Sequence, residues 1–179
     1  MELLEIAFEL QPTRAAVLSD IGRTPFAEDE LRHGSEYALP RWFVETLRSL
    51  GKVDVIEEVP VYSRILKVKF AHSTASRQSL PPISEFFYVS SRKELERAME
   101  QAQRNLDLET LTRISKAVKA FSDIANRRIS AIIKAVSLGG YAAIERGLSY
   151  EEKLLATALS KILSRWREEF LQVKEGEKP

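Results

Sequence analysis

LTRISKAVKAFSDIANRRISAIIKAV, residues 111–136, places apolar side chains at Leu111, Ile114, Val118, Phe121, Ala125, Ile129, Ile132 and Val136. Steps of three and four bring such residues onto one face of a helix, so the stretch predicts a long amphipathic helix with Gly139 at its C-cap. Two more helices are predicted around it. Leu95, Ala98, Met99, Ala102 and Leu106 mark an earlier one that begins near Phe86. Ser149-Tyr150-Glu151-Glu152 opens a later one as a capping box, in which the Ser and Glu side chains satisfy orphan amides reciprocally. Its apolar face is Leu155, Ala158, Leu159, Ile162, Leu163, Trp166 and Phe170.

Before residue 80 the pattern is different. Leu3 to Leu10, Arg14 to Ile21, Lys52 to Val59 and Arg64 to Phe70 read as strands, the last alternating through Ile65, Lys67, Val68, Lys69 and Phe70. One helix interrupts them. Pro40 suits its first turn, Trp42, Phe43, Leu47 and Leu50 recur at helical spacing, and Gly51 ends it. The residues from 71 to 84 are small and polar and end in Pro81-Pro82, which is the composition of a linker. The expected fold class is therefore α+β: a small N-terminal β-domain with one short helix, then a C-terminal all-α helical bundle. The expected domains are 1–75 (β-rich), 76–84 (linker), 85–174 (α-helical) and 175–179 (disordered tail).

Composition narrows the chemistry. The 179 residues include no cysteine, which removes disulfides, thiolate metal sites and a cysteine nucleophile together. Lys and Arg number 27 against 26 Asp and Glu, so the chain is not a globally basic nucleic-acid coat. The balance hides a net −2 over residues 1–80 and +3 over 81–179. No basic leader is present at Met1-Glu2-Leu3-Leu4-Glu5, and no uncharged apolar run nears the roughly 18 residues of a membrane span. A cytoplasmic protein with no membrane contact is the expectation.

Catalytic patterns are missing from the sequence. His33 and His72 are the only histidines and stand far apart. Adjacent acids such as Glu57-Glu58, Glu151-Glu152 and Glu168-Glu169 read as solvated surface, because helix neighbours point about 100° apart. There is no G-x-S-x-G elbow, no phosphate-binding G-x-x-x-x-G-K-[ST] loop and no G-x-G-x-x-G. The expectation is no enzyme, no metal and no cofactor. The main charged feature lies on the long helix, where Lys116, Lys119, Arg127, Arg128 and Lys134 stand with Arg113 against the single acid Asp123. These cations are either candidate contacts to DNA phosphates or to an acidic partner, or a solvated helix face.

Taken in order, three segments resemble subunits of the GINS complex, a replicative helicase accessory. The first is Val17-Leu18-Ser19-Asp20-Ile21 with Glu36-Tyr37-Ala38-Leu39-Pro40-Arg41-Trp42-Phe43, which is similar to the family's β-domain and its Leu-Pro-x-Trp helix. The second is Leu80-Pro81-Pro82 with Phe86-Phe87-Tyr88, and the third is Leu148-Ser149-Tyr150-Glu151-Glu152 with the helix that follows. The β-first order is that of one archaeal subunit type; its sister carries the β-domain last.

The resemblance implies a non-enzymatic scaffold for DNA replication. Such a subunit forms a hetero-oligomer, usually a tetramer, with the sister GINS subunit and bridges the MCM helicase to a RecJ-like protein. DNA contact would be indirect. On this reading Phe86, Phe87, Tyr88, Val118, Phe121, Leu155, Leu159, Ile162, Trp166 and Phe170 are core or subunit-interface positions. Leu39, Pro40, Trp42 and Leu47 anchor the β-domain helix. The alternative is a nucleic-acid-binding helical module working through the basic stripe.

Overall fold

A computed structural model describes residues 2–56, 59–75 and 80–171. The chain forms two compact units that divide between Pro60 and Val61. The first is a small three-stranded sheet with helices, and the second is helical throughout. The α+β class expected from the sequence is the one observed.

In the first unit, helix α1 (Glu2–Glu9) leads into strand β1 (Pro12–Val17). Strand β2 (Glu36–Pro40) runs directly into helix α2 (Arg41–Ser49), and strand β3 (Val53–Val55) follows. The sheet order is β2-β1-β3, all antiparallel, with Ala15 opposite Tyr37 on one side and Val55 on the other. Thr13, Ala15 and Val17 alternate inward along β1, as period-2 side chains must, and α2 lays Val44 and Leu47 over them. Leu31, from the long β1–β2 connection, completes that core. Leu3 to Leu10 is helical rather than extended, with Phe8 buried under the Arg41 guanidinium at 4.6 Å. Among the described residues the unit therefore has two helices, and Pro40, expected at a helix start, both ends β2 and caps α2.

The second unit begins with helix α3 (Val61–Thr74), followed by α4 (Phe87–Arg104), α5 (Leu108–Ser137), the short α6 (Tyr141–Ile144), a 3-10 turn (Glu145–Gly147) and α7 (Tyr150–Phe170). Arg64 to Phe70 is thus a helix and not a strand. Ile65 and His72 lie on its buried face, one step of seven apart, so the helical period outcompetes the short local alternation. Residues 71–74, expected in the linker, are the last turn of that helix. The core of the unit joins α3, α4 and α5 through Ile65, Phe87, Leu95, Ile114, Ala117 and Ile124. Positions 76–79 of the expected linker and the 175–179 tail lie outside the described residues.

The stripe that α5 buries is Ile114, Ala117, Ala120, Ile124, Arg128, Ile132 and Val136. Val118 and Ile129, assigned to the apolar face, lie at its edge and are 42% and 37% exposed. The small residues Ala117 and Ala120 let α3 and α4 approach where larger groups would hold them off. Helix ends follow their sequence signals. Asp107 caps α5 by accepting from the Thr110 amide at 2.9 Å. At the other end Gly139, with φ of +75°, lets the Gly140 amide reach back to the Ala135 carbonyl at 2.8 Å.

Candidate functional site

Arg128 is fully buried on α5, so it is no candidate for a phosphate contact. A guanidinium has five N–H donors and no acceptor, and inside a protein each donor needs a partner. All five have one. Nε donates to Glu152 Oε1 at 2.6 Å and Nη2 to Glu152 Oε2 at 2.8 Å, the bidentate fork of an ideal Arg–carboxylate pair. Nη2 also donates to the Gly147 carbonyl at 2.7 Å. Nη1 donates to the Pro81 carbonyl at 2.6 Å and to His72 Nε2 at 2.9 Å.

Glu152 is equally complete. Besides Arg128, Oε1 accepts from the Tyr88 hydroxyl at 2.7 Å, and Oε2 from the Ser149 amide at 3.0 Å. The last bond is half of the predicted capping box; the Glu152 amide supplies the other half by donating to Ser149 Oγ at 3.3 Å. One carboxylate therefore caps its own helix and neutralises a buried cation on another. Burial, reinforced by the charge of Glu152, pushes the Tyr88 phenol far above its ordinary range, so it remains a proton donor.

Next to this centre, helix α4 is capped from outside. Its N-cap residue, Phe86, offers no polar side chain, and Glu151 Oε1 of α7 accepts from the Tyr88 and Val89 amides at 3.1 and 3.0 Å. A carboxylate at a helix N-terminus also meets the positive end of the helix dipole. Gly147 completes the joint. A Cβ there would stand 2.9 Å from the Leu80 carbonyl oxygen, so only glycine lets residues 80–82 pass so closely. The centre thus ties together α3, residues 81–82, α4, α5, the 3-10 turn and α7.

The remaining cations of the long helix, Lys116, Lys119, Arg127 and Lys134, are exposed. Their acid neighbour Asp123 is occupied by Lys69 of α3 at 2.8 Å, which holds its carboxyl below the usual range. In the first unit a groove of about 450 Å³ is lined by Arg23, Glu28, Asp29, Glu30, Arg32 and Tyr37. Glu30 pairs there with both Arg23 and Arg32, at 3.6 and 3.3 Å. Among the described residues no group of three or more His, Asp or Glu could hold a metal ion, and no helix is long and apolar enough to cross a membrane.

The expected core or interface positions divide into two sets. Phe86 and Phe87 are buried, with Tyr88 and Phe121 packed against the same cluster. Leu155 and Leu159 are half-buried, whereas Val118, Ile162, Trp166 and Phe170 are exposed. Of the β-domain anchors, Leu39 and Leu47 are buried and Pro40 is half-buried at the end of β2. Trp42 is 39% exposed and packs edge-on against Phe26 at 5.2 Å. Val44, rather than Trp42, is the second residue that α2 buries.

The exposed set on α7 has a geometric cause. Glu152, Ala156, Leu159, Leu163, Trp166 and Phe170 follow steps of four and three, so they form one seam of the helix. The first four members are covered. α7 runs in the same direction as the second half of α5, from the Arg128–Glu152 pair to Arg167, whose Nη2 donates to the Ser137 carbonyl at 2.6 Å. Ser137 is the last residue of α5. Toward this end of α7 the cover thins, and Trp166 and Phe170 stand 51% and 64% exposed, their rings 5.7 Å apart.

No protein-family model matches the chain, and no curated protein matches it.

In the sequence the charge of Arg128 groups it with the cations around it and hides the buried centre. A signal was present: Arg128 stands four residues from both Ile124 and Ile132, in phase with the buried stripe and out of phase with Lys116 and Lys119.

Proposed function

We propose that this chain is a non-enzymatic subunit of the GINS complex. In this role it is a scaffold that assembles with its sister subunit, as a tetramer, and supports the MCM helicase and a RecJ-like protein in DNA replication. The observation that carries the reading is the overhang of α7. A seam whose apolar members Ala156, Leu159 and Leu163 are covered while Trp166 and Phe170 are more than half exposed is an unfinished helix–helix contact, and a scaffold subunit finishes it with another chain. The β-first order of the two units supports the same reading, as does the resemblance of Leu39-Pro40-Arg41-Trp42 and Leu80-Pro81-Pro82 to the family's segments. The polar centre is closed, with every donor of Arg128 engaged within the chain, so its role in this scheme is to hold the helices that present the seam.

The test is assembly. Mixed with its sister subunit, the purified chain should give a defined tetramer by light scattering, and Trp166→Ser with Phe170→Ser should weaken it. A well-behaved monomer that ignores the sister would overturn the proposal. The second reading, a nucleic-acid module, keeps Lys116, Lys119, Arg127 and Lys134 as its exposed contacts. It requires binding at low salt that falls steeply as salt rises, with a shallower slope for Lys116→Ala and Arg127→Ala together.

A further inference from the structure

We infer that His72 is a proton-operated latch, whose protonation frees the C-terminal turn of α3 and residues 80–82 from the Arg128–Glu152 centre. The geometry admits only one form of the imidazole. Its Nδ1 lies 2.9 Å from the Val68 carbonyl, which can only accept, and its Nε2 lies 2.9 Å from Arg128 Nη1, which can only donate. His72 is therefore neutral, with its proton on Nδ1, and is 3% exposed.

A second proton has one place to go, Nε2. There it would set an N–H against an N–H of Arg128 and a cation against a cation. The groups facing the ring from each packed element leave it no other support. From α5, Arg128 and Arg127 both repel the charge. From α7, Glu152 attracts it, but all of that carboxylate's hydrogen-bonding positions are taken by Arg128, Tyr88 and Ser149. From α4, Tyr88 reaches the cluster only as a donor to Glu152. From residues 80–82, the Pro81 carbonyl is held by Arg128 Nη1. Burial first, then the two arginines, hold the imidazole below the ordinary histidine value of about 6.5, while the Val68 bond and Glu152 oppose them in part.

The direction follows from linkage. The opened state, with the ring in water, takes up a proton below about pH 6.5, and the closed state does so only at a lower pH. Closure is fully favoured above 6.5 and weakens as pH falls through the interval beneath it. With one proton linked to opening, the closing equilibrium shifts by up to about tenfold per pH unit there. The moving part is local, because Ile65 and Val61 in the earlier turns of α3 stay packed on α5 through apolar contacts that do not titrate.

Hydrogen exchange of the full chain between pH 7.5 and 5, corrected for intrinsic rates, tests the latch. Amides 69–75 should lose protection as pH falls, while those around Ile114 to Ala120 keep theirs. In His72→Gln, whose amide oxygen can still accept from Arg128 but takes no proton, the loss should vanish. Unchanged protection in the natural chain, or the same loss in the variant, overturns the proposal. If the variant fails to fold, His33→Gln leaves one imidazole to follow by NMR. That signal should titrate below 6.5 in step with the exchange at 69–75, and titration at or above 6.5 overturns the latch.

Discussion

The two halves of α5 differ at one buried position, Arg128. From Ile114 to Ile124 the helix buries only apolar groups, small where α3 and α4 approach and larger where space remains. From Arg128 onward it buries a cation ahead of Ile132 and Val136 and surrounds that cation with five fixed acceptors. Apolar packing is tolerant: any side chain of similar volume fills the space, and nothing in it specifies which loop passes overhead. The polar centre is intolerant. It is satisfied only when α3, residues 81–82, α4, the 3-10 turn and α7 all arrive in one register, and it penalises every arrangement that leaves a donor empty. One half supplies cohesion and the other specifies the arrangement.

The sharpest way to break this contrast is to remove one partner of the buried pair. Arg128→Met leaves Glu152 charged and buried with half its donors gone, and should cost about 3–5 kcal/mol in urea unfolding. Arg128→Met with Glu152→Leu removes both charges together and should recover most of that loss, since well-packed apolar groups often match a buried ion pair. Recovery of stability with slower or less cooperative folding would identify register as the pair's contribution. A double variant as unstable as the single would show instead that the pair itself holds the helices together.

The apolar half should respond more mildly and without rescue. Ile124→Ala deletes a buried side chain one turn before Arg128 and should cost about 2–4 kcal/mol, as transfer energy plus a cavity. Chemical unfolding with an unchanged m-value would show that the compact unit is otherwise intact. A loss larger than that of Arg128→Met would reverse the ranking on which the comparison stands.

Much of this architecture is legible in the residues. The Ser149–Glu152 capping box and the Gly139 terminator are local signals backed by local physics, and the chain forms them as read; the period of α5 gives the helix, but its buried face is turned toward Ala117, Ala120 and Ile124 and away from Val118 and Ile129. Sequence and structure part where distant partners decide. Residues 64–70 alternate over too short a span to betray a helix, and Ile65 with His72 becomes a buried face only once α5 lies against it. Residues 3–10 carry as much apolar surface as a strand, yet bury Phe8 from a helix. Arg128 is the clearest case. Its charge says surface and its phase says core, and the phase prevails because Glu152, Gly147, Pro81 and His72, none of them nearby in sequence, converge on it. For the candidate interface the pattern of the α7 seam was visible as an apolar face, but not where its cover stops, because that depends on where α5 ends beside it.

The smallest effect on stability is expected where the seam runs out. Trp166 is 51% exposed with its ring 5.7 Å from that of Phe170, so Trp166→Ser removes a side chain that folding of this chain alone has only half buried. Its unfolding free energy should stay within about 0.5 kcal/mol of the natural chain, the usual range for surface sites. The same helix carries the contrasting control: Ala156, on the covered part of the seam, is fully buried. Ala156→Leu forces three extra carbons against Ile132 and should cost about 1–3 kcal/mol. Two changes ten residues apart on one seam then separate its two jobs. If Trp166→Ser destabilises the isolated chain as much as Ala156→Leu does, the last turns of α7 are part of this chain's own core. If it leaves stability alone and lowers only the assembled mass, the exposed aromatic pair belongs to a surface meant for another chain.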